Sequence, residues 1–481
     1  MKQKLQWSAY QKAIFLDILK GTNHTIVEAL AGTAKTTTLI ESTKYIPKGK
    51  KVIALAFNKI IQKELQERVS VRVEASTFHS LGFRAIKNRF KTVELDDNKV
   101  FNIVKELVDN PKEYDLINNI CDTVAFCKYS LVDSPSEIEK IILRFGIDLC
   151  EMSSDEFIKI VIQTLAKNKE QINKIDYNDM CWLPFVWDLP LGKYDYVYVD
   201  EFQDLNRSQT LMAKKVCNPD GGRIIIFGDF KQDLYKWRGS DTSIIQEIKQ
   251  NPNTKILTLP ITYRCPKKIV ELVKPWVPNF ECPETAKEGY IEEISTNEMY
   301  KKAKPGCFIL SRVNAPLIRI CMTFIKNNIK CNIRGRDVGK QLVGLIKKSK
   351  KKQVPAFLKW LEKWKDEEVA KLIKKGLKPD VILDKQECLI NLCEEATSLE
   401  EVKQKLEEMF DDSDEKNIII CGSVHSSKGL ERDDVFLLKW TCRGWFDEVF
   451  EGDEKEENEE MNIAYVGATR AKSNLYLVNK F

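Results

Sequence analysis

Apolar residues along this chain alternate between two periods, and the changes of period mark its elements. Across residues 8–20, SAYQKAIFLDILK, they recur at helical spacing. HTIVEAL (24–30) reads as a short buried strand running into small residues, and TTTLIEST (36–43) as the start of a helix. KVIALAFN (51–58) is a second strand. Strand, loop, helix, strand is the opening of a parallel α/β sheet, since parallel strands need a crossover between them. From 86 to 175 the strand signal is weak. Amphipathic stretches such as NKVFNIVKELVDN and SEIEKIILRFG predict a helical insertion there. Strands return at YDYVYVDE (194–201) and RIIIFGD (223–229), both β-branched or aromatic runs.

A second α/β region begins near Tyr263. Its predicted strands are CFILSR (307–312), IIICGSVH (418–425), DVFLLKW (434–440) and NLYLVNKF (474–481). Between them lies a Lys/Glu-rich helical stretch that includes AFLKWLEKWKDEEVAKLIKKG. The expected class is therefore α/β, with two parallel-sheet domains, each interrupted by helices. The first domain takes 1–85 and 176–262, with its insertion at 86–175. The second takes 263–340 and 401–481, with a short insertion at 341–400. A chain of 481 residues is long enough for such a division.

Composition narrows the class. Hydrophobic residues make up 43% and charged residues 31%, as in globular proteins. No apolar run is long enough to span a bilayer. The first residues, MKQKLQWSAYQKAIF, carry charges throughout and lack a signal-peptide core. The expectation is an intracellular protein with no membrane partner. Fourteen cysteines contain no C-x-x-C pair and there are three histidines, so reduced, mostly buried thiols are expected rather than zinc or disulfides. The net charge of +5 permits nucleic-acid binding without demonstrating it. The run KKSKKK (347–352) has a bland reading as solvated surface and a sharper one as a phosphate contact. The acidic EGDEKEENEE (451–460) would repel a phosphate backbone.

The first candidate chemistry is phosphate binding. Residues 29–36 read ALAGTAKT and stand between a predicted strand and a predicted helix, the setting a P-loop requires. Small residues let successive N–H groups face an anion at the positive end of the helix. Ala29, Gly32, Thr33, Ala34 and Thr37 belong to this cradle. Lys35 is placed to reach β/γ-phosphates, and Thr36 to ligate Mg²⁺. The usual second glycine is replaced by Ala34, which requires that the backbone there avoid positive φ. By itself the motif could be a chance small-residue turn. The motif does not stand alone: VYVDEFQD (197–204) ends a predicted buried strand in two carboxylates, which a cation or hydrogen bonds must offset. Asp200 is the candidate Mg²⁺ ligand and Glu201 the general base toward an attacking water.

Further strings occur in order downstream: DEFQD, GDFKQDLYKWRGSD (228–241), TYRC (262–265), SVHSSKGLE (423–431) and AYVGATRAK (464–472). They resemble the DExxQD, GDxxQxIYxFRGA, NYRS, TxHxAKGLE and YVAxTRA segments of superfamily 1A helicases of the UvrD/Rep/PcrA type. The resemblance covers both α/β regions and is poor in the insertions. It implies two RecA-like domains, with ATP and Mg²⁺ bound between them and hydrolysis coupled to translocation on single-stranded DNA and strand separation, in the 3′→5′ direction. Gln11 resembles the glutamine that reads adenine, Tyr263 would stack on the base, and Glu431 would accept from the ribose. Gln232 would sense the γ-phosphate. Arg264 and Arg470 would neutralise transition-state charge, a role that suits a guanidinium.

AFNKIIQKEL, STFHSLG and IDYNDM resemble further segments, the first two of them DNA-contacting. The implied DNA set is Phe57, Asn58, Thr77, Phe78, His79, Tyr235, Trp237, Arg238, Arg312, Asn314 and His425. Trp237 is the foremost stacking candidate, because every base presents a π-face. Phe57, Phe78 and Tyr235 are as readily core residues. His79 and His425 fit coupling or phosphate contact better than base catalysis. Single-stranded DNA and single/double-strand junctions are the implied partners, along with replication or repair proteins; oligomeric state is open. The short second insertion implies weaker autoinhibition or reliance on a partner. The rivals are a non-catalytic DNA-binding protein with a decayed P-loop and an RNA-directed helicase. A helicase–nuclease is disfavoured, since only eleven residues follow Arg470.

Overall fold

The computed structural model describes residues 6–150, 152–232, 247–374, 379–394, 396–410, 417–442 and 454–480. The chain divides into two compact units, Met1–Leu30 with Ala34–Leu259, and Ala31–Thr33 with Pro260–Phe481.

In the first unit, strands β1 (His24–Ala29), β2 (Val52–Ala56) and β3 (Val73–Thr77) come first. The two-residue β4 (Glu94–Leu95) and β5 (Lys174–Ile175) pair apart from the main sheet. After them come β6 (Tyr196–Val199), β7 (Arg223–Gly228) and β8 (Thr254–Leu259). The six-stranded sheet has the order β3-β2-β6-β7-β1-β8, and its pairs are parallel. Every residue of β2, β6 and β7 is buried. That is why these strands read as continuous apolar runs: both faces of the sheet are covered. The edge strand β8 is half exposed, with Lys255 and Ile256 open to solvent, and its diluted pattern escapes sequence reading, as does that of β3.

The helices between residues 99 and 170 do not form a separate core. Ile103, Val104, Ile117, Val124, Phe157 and Val161 are continuous with Ile53, Leu55, Phe78, Val197 and Val199 of one sheet face. The other face packs Ile14, Ile18, Leu39, Tyr198 and Phe227. A buried charge network ties the inserted helices to the segment entering helix Asp179–Val186. Lys128 Nζ lies 2.5 Å from Asp176 Oδ2 and 2.7 Å from Asp179 Oδ1. Lys99 Nζ donates to Asp179 Oδ2 at 2.9 Å and to the Asn168 carbonyl at 2.8 Å. Both lysines are about 1% exposed. Burial favours the neutral forms of these groups, yet the two ammonium groups hold the Asp179 carboxyl below its ordinary range.

The second unit holds β9 (Tyr290–Ser295), β10 (Phe308–Ser311), β11 (Cys331–Arg334), β12 (Ile419–Ser423), β13 (Arg432–Leu438) and β14 (Ala471–Asn479). They form a parallel sheet in the order β11-β12-β10-β13-β14-β9, with Ile309 opposite both Cys421 and Phe436. Two of its edges correct the expected strands. The run expected to extend to His425 ends at Ser423 and turns into a 3₁₀ segment, His425–Ser427, while the last strand starts at Ala471, earlier than expected. Helices Arg336–Ser349, Val354–Lys374, Asp380–Cys393 and Leu399–Met409 follow β11. Their Leu342, Phe357, Leu361, Leu389 and Leu406 share one core with Ile309, Ile333 and Phe436. Both units are thus α/β with RecA-like parallel sheets, and the helices between strands complete the cores. All fourteen cysteines are free thiols, most of them buried. Among the described residues no helix is long and apolar enough to cross a membrane.

Candidate active site

The site of the first unit grows from the carboxyl ends of β1 and β6, where open parallel sheets place their ligands. After β1 the chain turns through Gly32, at φ +71°, and Ala34, at φ +57°, into helix Lys35–Ser42. Positive φ is what the fold demands at Ala34, so the expectation that its Cβ would keep the backbone out of this region is corrected. The residue adopts the left-handed conformation and carries the steric cost that a glycine would avoid.

Asp200 directly follows β6 and is 1% exposed. Its Oδ2 accepts from Thr36 Oγ1 at 3.0 Å, its Oδ1 accepts from the Glu201 N–H at 2.9 Å, and Lys35 Nζ is 3.7 Å away. Burial pushes the Asp200 carboxyl up to about 6, against the pull of Lys35. Glu201 sits at φ +52° and closes an ion pair with Lys35. Burial alone would lower the Lys35 ammonium, but Glu201 and then Asp200 outweigh it and hold it above its ordinary value.

A relay of amides extends from this pair. Gln203 Nε2 donates to Glu201 Oε2 at 2.6 Å, and the Asp229 N–H donates to Gln203 Oε1 at 3.0 Å. Gln232 Nε2 then donates to Asp229 Oδ2 at 2.8 Å. Gly228 leaves room for this: a Cβ there would come within 2.8 Å of Gln203 Oε1. Gln203 and Asp229 were not singled out among the candidate residues, although the strings DEFQD and GDFKQD contain both. Arg68 is a second omission. Its Nη2 donates to Thr37 Oγ1 at 2.9 Å, which sets a guanidinium beside the phosphate loop, and no local pattern around residue 68 signals it. Gln11 is buried beneath the same helix. Its Nε2 donates to Thr38 Oγ1 at 2.9 Å, and its Oε1 accepts from the Ser8 N–H in a capping box.

The oxygen set of Thr36 and Asp200 fits a hard divalent cation such as Mg²⁺, which keeps water and phosphate oxygens among its ligands. Asp200 is a buried carboxylate beside a second carboxylate with one ammonium to share, an arrangement short of positive charge.

The nucleic-acid candidates of the first unit separate into two kinds. Asn58 is exposed and caps helix Lys59–Arg68, accepting from the N–H groups of Ile60 and Ile61. Thr77 caps helix Phe78–Arg89 and is 7% exposed. Phe78 is fully buried in the core, so the stacking role expected of it is corrected: its ring has no face open to a base. Phe57 is half buried against the same core. His79 packs its ring 4.4 Å from that of Tyr177, an exposed side chain, and burial lowers its pKa to about 4. Tyr235, Trp237 and Arg238 lie outside the described residues.

In the second unit, the Gly32 carbonyl accepts from the Tyr263 N–H at 2.8 Å, and the Ala31 N–H donates to the Tyr465 hydroxyl at 2.7 Å. A Cβ on Gly32 would come within 2.5 Å of Arg264 Cβ, so only glycine fits. Tyr263 is half exposed. Arg264 pairs with Glu431, which joins two residues expected to act separately. Arg470 is 1% exposed and donates to the carbonyls of Val466 (2.9 Å) and Leu430 (3.3 Å). Arg312 pairs with Glu460 at 3.0 Å, and the Asn314 amide donates to Asp384 at 3.0 Å. His425 is half buried at the start of its 3₁₀ segment.

Comparison with known proteins adds independent findings. Residues 10–253 match the family model described as UvrD/REP helicase N-terminal domain. The ATP-dependent DNA helicase PcrA of Bacillus subtilis (strain 168) is 25% identical over 286 residues, covering 53% of this chain and 37% of that protein. F-box DNA helicase protein 1 of Schizosaccharomyces pombe is 26% identical over a 512-residue alignment, covering 94% of this chain and 55% of that protein. The ATP-dependent DNA helicase Rep of Buchnera aphidicola is 25% identical over 285 residues, covering 53% and 43%. The chain thus spans between 37% and 55% of the length of these relatives.

Proposed function

This chain belongs to the UvrD/REP helicase family, and we propose that it is an ATP-dependent motor that translocates on single-stranded DNA and separates duplex strands. The observation that carries the reading is the cluster of Lys35, Thr36, Asp200 and Glu201 at the carboxyl ends of β1 and β6. The names of the relatives, ATP-dependent DNA helicases, support the choice of nucleotide and of DNA.

The residues suggest a sequence of events. Lys35 pairs with Glu201. An incoming γ-phosphate competes for the ammonium and releases Glu201, whose carboxylate can then take a proton from the attacking water. Thr36 and Asp200 would hold Mg²⁺, which supplies charge neutralisation at the phosphates when bound. Gln203, Asp229 and Gln232 form a hydrogen-bonded path that shifts when Glu201 moves. Gln11 and Tyr263 are proposed for adenine. Arg264, Arg470 and Glu431 enter on the resemblance alone, as does 3′→5′ polarity. Asn58, His79, Arg312, Asn314 and His425 are proposed for the DNA track, and the six-segment domain division is proposed with them.

A rival draws on Ala34: a strained phosphate loop in a DNA-binding protein without turnover. ATPase rates with and without single-stranded DNA decide between the two, and no stimulation by DNA would favour the rival. A parallel arm with RNA oligomers tests the choice of nucleic acid. Strand displacement on substrates with a 3′ or a 5′ tail tests polarity.

A further inference from the structure

Residues 330–352 carry nine basic side chains and one acidic one, a net +8 in a chain whose total is +5. The rest of the molecule is therefore net negative, and its positive excess is concentrated here. The segment comprises β11, helix Arg336–Ser349 and the residues after it. Lys340, Lys347, Lys350, Lys351 and Lys352 are exposed. Among the described residues Lys347, Lys350, Lys351 and Lys352 form no ion pair, and Lys340 meets Asp337 only at 3.9 Å.

Two backbone choices on this helix run against local preference. Gly344 sits inside the helix, where alanine would be more stable by about 1 kcal/mol. A Cβ there would meet nothing within 4 Å, so packing does not explain the glycine. At Gly339 packing does explain it, since a Cβ would meet Phe410 Cβ at 2.9 Å. Lys350 caps the helix at φ +53°, where glycine would cost least, and the sequence keeps a charge instead. Gly344 lies one turn from both Lys340 and Lys347, on the same face. Departures from local preference without a structural return mark functional surfaces.

We propose that Lys340, Gly344, Lys347 and Lys350–Lys352 form a sequence-independent docking surface for the phosphate backbone of duplex DNA. The glycine lets the backbone approach the helix closely, and the lysines on either side neutralise phosphates. Duplex is favoured over single strand because residues 330–352 contain no aromatic side chain for bases to stack on. A bilayer is disfavoured because the apolar face of the helix, Leu342 and Ile346, is buried in the core. The surface rests on the DNA-motor reading and adds to it a grip on the duplex.

The test uses the full chain, the quadruple variant Lys347→Ala/Lys350→Ala/Lys351→Ala/Lys352→Ala, and Gly344→Gln. Affinities for a blunt duplex and a single-stranded oligomer are measured across a KCl series, with DNA-stimulated ATPase alongside. For the quadruple variant the duplex salt slope should fall by about 3 to 4, while the single-strand slope and the stimulated ATPase hold. Gly344→Gln should weaken duplex binding while raising the unfolding temperature, a combination that a purely structural glycine would not give. An unchanged duplex slope, equal losses on both DNA forms, or binding to anionic vesicles in place of duplex would each overturn the proposal. Lysine-dependent duplex binding in a chain whose ATPase ignores single strands would uphold this surface and overturn the motor reading.

Discussion

The hydroxyl of Thr36 donates to Asp200 Oδ2 at 3.0 Å and joins the first turn of the phosphate-loop helix to the end of β6. The two residues are 164 positions apart, and between them lie three strands of the main sheet and the inserted helices. Beside that bond Lys35 is shared between Asp200 and Glu201, so Thr36, Asp200, Lys35 and Glu201 occupy one small polar site.

Removing either side of the Lys35–Glu201 pair should stop turnover in different ways. Lys35→Ala should abolish hydrolysis and weaken nucleotide binding. Glu201→Gln should bind nucleotide nearly as well and lose about 10²–10⁴-fold in kcat, the range a positioned general base supplies. Binding of a fluorescent nucleotide, read beside DNA-stimulated ATPase, separates the two; retained hydrolysis in Lys35→Ala would refute the phosphate assignment.

Ala34→Gly should stabilise the protein by about 0.5–1 kcal/mol, because it relieves an L-residue held at φ +57° and gives back part of that gain as unfolded-chain entropy. Thermal unfolding measures it. A loss of stability would show that the methyl group packs usefully despite its backbone.

Lys128→Met should cost about 3–5 kcal/mol, since Asp176 and Asp179 would remain buried with half their cations gone. Adding Asp176→Asn should recover part of the loss. Denaturant unfolding of the single and double variants checks both, and an additive double variant would argue against the network acting as one unit.

His79 makes stability depend on pH. The unfolded ring takes a proton near pH 6.5, whereas the buried ring resists until about 4. The group therefore costs nothing above pH 6.5, and stability falls as pH drops through the window between those values. His79→Gln should flatten that decline. Unfolding midpoints measured between pH 7 and 4.5 should converge for the two proteins at the upper end and diverge at the lower.

The sequence by itself determined the buried strands, because β2, β6, β7 and β10 are covered on both faces and are apolar along most of their length. It also marked out the small-residue turn at 29–36 and the adjacent carboxyls of Asp200 and Glu201, both legible from residue type and local order. Tertiary structure alone decided the rest. It showed that the edge strands β8 and β9, half exposed and so weakly patterned, belong to the sheets. It turned Phe78 into the core, held Ala34 in a left-handed turn, and brought Arg68 to Thr37 and Lys128 to Asp179. The physical reason is the same in each case: burial, backbone sign and a partner across the fold are set by how distant segments pack, and no window of neighbouring residues carries them.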